Sequence, residues 1–169
     1  MKIFLIGLPG SGKSTMAKQL AHALGYPFVD LDVAIEQSTG HKVSEIFQLK
    51  GEPTFRKTER DELLRWLAKP GDFVMATGGG TPCFFSNMED INHAGISCYL
   101  DVSSQAIAKR MLNTSLAARP LFAEENETTL IPRIDQMRKE RLPYYSKAAL
   151  RVTGDNLTVG EVMAVLKVG

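Results

Sequence analysis

The sequence predicts an α/β fold built on a parallel sheet. Two observations carry this. Short apolar runs alternate with longer segments of helical periodicity along the whole chain, and a glycine-rich turn joins the first such run directly to the first helix. Lys2–Ile6 is a continuous apolar strand, and the helix after the turn runs to about Leu24, where Gly25 ends it. Residues 27–29 form a second short strand, and a helix-like stretch from Val33 stops near Gly40. Ser44 is placed to cap a helix with Gly51 just past its end, and Pro53 suits the first turn of a longer helix through Leu67. Pro70-Gly71 turns the chain into the strand Phe73–Ala76, and residues 96–100 make another. Ser103 can cap a helix carrying Lys109 and Arg110. Residues 114–126 lack periodicity and read as a mobile loop. A helix to about Leu142, a strand over residues 150–152 and a helix from Val159 complete the chain.

The chain has 169 residues, 20 basic against 19 acidic for a net charge of +1, which fits one domain with a sizeable core. Near-neutrality argues against a general nucleic-acid or anionic-membrane binder. No apolar run spans a bilayer, and Met1-Lys2 leads straight into a strand, without the pattern of a signal peptide. Cys83 and Cys98 have neither metal-ligand nor redox-pair spacing, which suggests free thiols in a reducing cytoplasm.

Gly7 to Ser14 matches the Walker A pattern, Gly, four residues, Gly-Lys-Ser, between a strand and a helix as its mechanism requires. Gly10, Ser11, Gly12, Lys13, Ser14 and Thr15 are therefore the candidate ATP cradle. Backbone N–H groups and the helix N-terminus attract phosphate, Lys13 reaches the β- and γ-phosphates, and the Ser14 hydroxyl can hold Mg²⁺. GTPases carry an Asn-Lys-x-Asp motif that this sequence lacks. Asp30 and Asp32 end the second strand, where carboxylates face the same crevice as the glycine loop; alternatively they form a strand-end turn with Asp32 as a helix cap. Asp101, at the end of another strand, is either a metal ligand or a helix cap.

Further residues suit a small anionic acceptor. Arg56 lies in the first turns of a helix, where it can serve a ligand or pair with Glu52 or Glu59. Gly78-Gly79-Gly80 follows a strand and lets backbone approach a ligand closely. Arg141 precedes Pro143 at a helix end, and Arg119 sits in the aperiodic loop, where an arginine can be delivered to a transferring phosphate.

This ordered set resembles the shikimate kinase family. The match comprises the Walker loop, Asp30-x-Asp32 with Ile35-Glu36 and Thr39-Gly40, Gly51-Glu52-x-x-Phe55-Arg56-x-x-Glu59, Thr77-Gly78-Gly79-Gly80, Arg119-Pro120-Leu121 and Arg141-x-Pro143-x-Tyr145. The resemblance implies a three-layer P-loop NTPase fold with a five-stranded parallel sheet, related to nucleoside monophosphate kinases. It implies a single domain over residues 1–169, a substrate-binding subdomain at about 32–60 and a lid at about 114–126. The implied activity is ATP- and Mg²⁺-dependent phosphorylation of the shikimate 3-hydroxyl on the route to chorismate and the aromatic amino acids. Carried over residue by residue, Lys13 and Arg119 hold the transferring phosphate, and Ser14 and Asp30 serve the metal. Asp32, Arg56, Gly78, Gly79, Gly80 and Arg141 hold shikimate, with Asp32 also catalytic. Arg110 stacks on adenine. Asn156, in a segment that matches only loosely, is a further nucleotide contact. A cytoplasmic monomer is expected, with shikimate and ATP as its partners. The alternatives are another small-molecule P-loop kinase of gluconate type and a nucleotide-dependent switch module.

Overall fold

Five strands, all parallel, form one sheet in the order β2-β3-β1-β4-β5 in the computed structural model, which describes residues 1–114 and 120–167. The strands are β1 (Lys2–Ile6), β2 (Phe28–Asp30), β3 (Phe73–Ala76), β4 (Ile96–Asp101) and β5 (Leu150–Thr153). The described helices are α1 (Lys13–Leu24), α2 (Leu31–Thr39), α3 (Val43–Ala68), α4 (Asn87–Ala94), α5 (Ser104–Leu112), α6 (Leu130–Tyr145) and α7 (Val159–Leu166).

The continuous apolar character of the central strands has a direct cause, because both faces of the sheet are covered. Successive side chains of β1 go to opposite layers. Ile3 and Leu5 join Met16, Ala17, Leu20 and Val162 of α1 and α7, while Phe4 and Ile6 enter the core shared with Phe55, Leu63, Ile91 and Met137. The result is the expected three-layer architecture. Strand order places the C-terminal ends of β1, β2 and β3 side by side, so the loops that follow them open into one crevice.

Several local expectations are corrected. Helix α2 starts at Leu31 rather than Val33, because the Asp30 side chain caps it, accepting from the N–H groups of Asp32 and Val33. Asp32 is therefore not the cap. Lys42, not Ser44, occupies the N-cap of α3, and its N–H donates to Glu45 at 2.9 Å. Gly51 does not end a separate helix. It kinks α3 in the left-handed region (φ 79°), and Pro53 starts the second arm. Helix α6 continues past Leu142 to Tyr145 with Pro143 inside it, so Arg141 does not end the helix. Helix α4 and the 3₁₀ turn Thr81–Cys83 went unread from sequence. Helix α4 is eight residues long and buries only Asn87, Met88 and Ile91, too few for a clear helical period.

Candidate active site

The Walker loop closes over its own backbone. Gly10 and Gly12 adopt left-handed φ values of 80° and 89°, and the Ser11 N–H donates to the Leu8 carbonyl. Gly10 has a second reason to lack a side chain, since a Cβ there meets Met111 Cε at 3.0 Å. Helix α1 has no side-chain cap and no acidic residue in its first turn, which leaves its N-terminal N–H groups directed at an anion. Lys13 is buried, and its Nζ donates to the carbonyls of Gly7 and Leu8 at 2.8 Å each. The Ser14 hydroxyl donates to Asp30 Oδ2 at 2.7 Å, so the two candidate metal residues share one corner.

That corner fits Mg²⁺, which keeps several waters and takes few protein oxygens. Among the described residues no group of three or more His, Cys, Asp or Glu side chains could hold a metal, so the chemistry of the corner is not that of an all-protein cage. Asp101 is neither metal ligand nor cap. It is buried and accepts from Arg138, Arg151 and the Tyr99 hydroxyl, while Ser103 caps α5.

A cleft of about 680 Å³, lined by the Walker loop, brings together Asp32, Arg56, the three glycines, Arg110 and Arg141. Arg56 is 4% exposed. It donates to Glu59 Oε1 at 2.9 Å and to Glu52 Oε1 from Nη2 at 3.1 Å. Arg56 is thus paired along its helix and at the same time lines the cleft. Glu59 is fully buried and also accepts from Thr81 Oγ1 at 2.7 Å.

The glycine triplet is explained by close approach rather than by backbone conformation. None of the three has a positive φ. A Cβ on Gly78 lies 2.8 Å from Glu59 Oε2, one on Gly79 lies 2.6 Å from Pro9 Cδ and 3.0 Å from Arg141 Nη1, and one on Gly80 lies 2.3 Å from Arg56 Nη2. The strand-end loop packs flush against Pro9, the glutamate and both arginines, leaving no volume for a methyl group.

Arg141 Nη1 is buried without a hydrogen-bond partner among the described residues. A buried guanidinium nitrogen left unpaired is costly, and an anion is the kind of group that can satisfy it. Asp32 faces several charges. Burial first, then the carboxylates of Glu59 and Asp30, push its pKa up to about 7, against the opposing pull of Lys13 and Arg56.

Arg110 Nη1 donates to the Gly10 carbonyl at 3.4 Å and Nη2 donates to the Asp155 carbonyl. Asn156 is exposed next to Asp155 and is not among the residues lining the cleft. Arg119 lies outside the described residues, as do residues 115–118 of the expected lid, while Thr114, Leu121 and Phe122 line the cleft.

Sequence reasoning did not assign roles to Glu59 and Tyr145. The Tyr145 ring is fully buried against Tyr99, and its hydroxyl donates to the Gly79 carbonyl, tying α6 to the glycine loop. Their positions within the Arg56-x-x-Glu59 and Arg141-x-Pro143-x-Tyr145 motifs were the available signal: spacings of three and four place each pair on one helix face.

The model of the shikimate kinase family matches residues 9–167. A shikimate kinase of Phocaeicola vulgatus is 40% identical over 156 residues, covering 92% of this chain and 88% of the relative. The crystal structure of shikimate kinase from Bacteroides thetaiotaomicron superposes with a TM-score of 0.92 at 32% identity, covering 99% of each chain. Shikimate kinase from Acinetobacter baumannii, solved in complex with shikimate, gives a TM-score of 0.86 at 29% identity over 98% of this chain and 93% of that one. The chain belongs to the shikimate kinase family.

Proposed function

We propose that this cleft transfers the γ-phosphoryl group of ATP to the 3-hydroxyl of shikimate, yielding ADP and shikimate 3-phosphate. The observation that carries the reading is the unpaired, buried Nη1 of Arg141, lying with Arg56 around the glycine loop. Two arginines from different helices make a fork suited to one carboxylate. The uncharged body of a compact polyol then lies between that fork and the Walker loop, with Asp32 beside it.

In this reading the N–H groups at the start of α1 bind the phosphate chain, and Lys13 exchanges its backbone acceptors for phosphate oxygens. Ser14 and Asp30 hold Mg²⁺, which neutralises charge on the phosphates when bound. Asp32 orients the acceptor hydroxyl and accepts its proton as the new P–O bond forms and the bond to the leaving ADP oxygen breaks. A carboxylate titrating near neutrality suits that exchange. Arg110 supports the nucleotide. Arg119 retains, from the sequence alone, the role of second cation on the transferring phosphate. The substrate-binding segment at about 32–60 and the lid at about 114–126 belong to the same proposal.

A coupled ADP-release assay tests the reading with shikimate, gluconate and a nucleoside monophosphate as acceptors. Only shikimate should accelerate release strongly, and Lys13→Met should abolish turnover in a folded protein. Acceleration by gluconate alone would transfer the assignment to another kinase class. Slow hydrolysis unaffected by any acceptor would indicate a nucleotide switch.

A further inference from the structure

Arg56 is stacked as well as paired. The Phe84 ring lies 4.3 Å from its guanidinium carbon, nearer than Phe55 at 5.1 Å or Phe47 at 5.9 Å. Phe84 is not among the residues that line the cleft, so any influence on substrate passes through Arg56. The next residue, Phe85, is 63% exposed and adopts a left-handed φ of 53°. That backbone is disfavoured for a bulky side chain and persists only where the surroundings impose it.

The surroundings here are the next turn of α3. Arg60, four residues after Arg56, donates to Asn87 Oδ1 at 2.7 Å, to Asp90 Oδ2 at 2.5 Å and to Ser86 Oγ at 3.2 Å. The Phe85 ring lies 6.0 Å from the Arg60 guanidinium carbon. Two consecutive aromatic residues therefore meet two arginines on successive turns of one helix face. In an extended chain consecutive side chains point to opposite sides, so the left-handed residue is what brings both rings to the same face.

We propose that Phe84 is a positioning residue for acceptor binding, held over Arg56 by the left-handed Phe85 turn and its Arg60 anchor. The stacked ring limits the guanidinium to one plane and keeps water from it, so the fork meets a carboxylate already oriented. This rests on the shikimate reading above and deepens it, because it assigns part of the carboxylate recognition to a residue that does not touch the substrate.

The test measures steady-state constants for both substrates in Phe84→Leu, Phe84→Tyr and Arg60→Gln, with thermal melts alongside. Phe84→Leu should raise the shikimate KM by about 2- to 30-fold, the range a desolvated cation–π contact supports. Its kcat and ATP KM should stay within about twofold of wild type, and Phe84→Tyr, which keeps a ring, should restore the shikimate KM. Arg60→Gln loosens the turn from outside the cleft and should reproduce the selective KM rise, which keeps the proposal testable if Phe84→Leu does not fold. An unchanged shikimate KM in folded Phe84→Leu or Arg60→Gln overturns the proposal, as does an equal loss in kcat and both KM values. Wild-type protein that fails to phosphorylate shikimate would instead overturn the functional reading, so the two failures are distinct.

Discussion

Gly80→Ala isolates the packing of one methyl group against Arg56. Gly80 has φ −88° and ψ −13°, a conformation alanine adopts without strain, so any effect is steric. The added carbon would sit 2.3 Å from Nη2 and 2.6 Å from Cζ and Nη1 of Arg56, whereas carbon contacts settle near about 3.5–4.0 Å. Something must move by more than about 1 Å. Arg56 cannot swing into solvent cheaply, because it is 4% exposed, paired to the fully buried Glu59 and covered by Phe84. Overpacking of this kind costs about 1–3 kcal/mol. At about 2–4 °C per kcal/mol for a chain of this size, Tm should fall by about 2–12 °C. Displacing the guanidinium also forfeits a charge-assisted hydrogen bond to the acceptor, about 1.5–3 kcal/mol, so the shikimate KM should rise by about 10- to 150-fold. The ATP KM should barely change. Gly160→Ala on α7 is the control: its Cβ meets nothing nearer than 4.0 Å, and it should stabilise by about 0.5 kcal/mol. A folded Gly80→Ala enzyme with wild-type shikimate KM would refute the argument that the glycine exists to admit Arg56.

Arg141→Gln removes the charge whose Nη1 lacks a partner among the described residues, so shikimate affinity should fall at least tenfold while Tm holds or rises; a marked Tm loss with unchanged affinity, read by calorimetric titration, would assign Arg141 to structure instead. Asp32→Asn should lower kcat by about 10²–10⁴-fold in the ADP-release assay. Without nucleotide or Mg²⁺ the same variant should be more stable than wild type at pH 8. Raised to about 7 in the fold, Asp32 favours the native state fully below its ordinary 3.8 and loses that contribution as pH rises through 7. The advantage should vanish near pH 4, and urea melts that show a pH-independent gap would contradict the cause assigned to the shift.

The elements with local causes were legible from the chain alone. The Walker loop is contiguous, Gly25 and Gly40 mark helix ends in the left-handed region, and the apolar strands report a sheet covered on both faces. Strand β3 was read to the residue for that reason. Capping was less legible. Asp30 and Asp32 are both chemically able to cap α2, and only the folded strand end shows that Asp30 does so while also accepting from Ser14. Pro143 marked a plausible helix end, yet α6 continues to Tyr145, whose hydroxyl reaches Gly79 from 66 residues away.

Tertiary structure alone decided why the three glycines are glycines. Sequence offered close approach to a ligand; the fold shows Gly78 making room for Glu59, Gly79 for Pro9 and Arg141, and Gly80 for Arg56. It also decided that Asp101 serves arginines rather than a metal, and that Phe84 covers Arg56. These outcomes depend on strand order, which brings the end of β3 beside that of β1 and under helices distant in sequence. Periodicity and motif spacing record what each segment buries and which groups share a helix face. They do not record which segments meet, because that is set by the summed packing of the whole core.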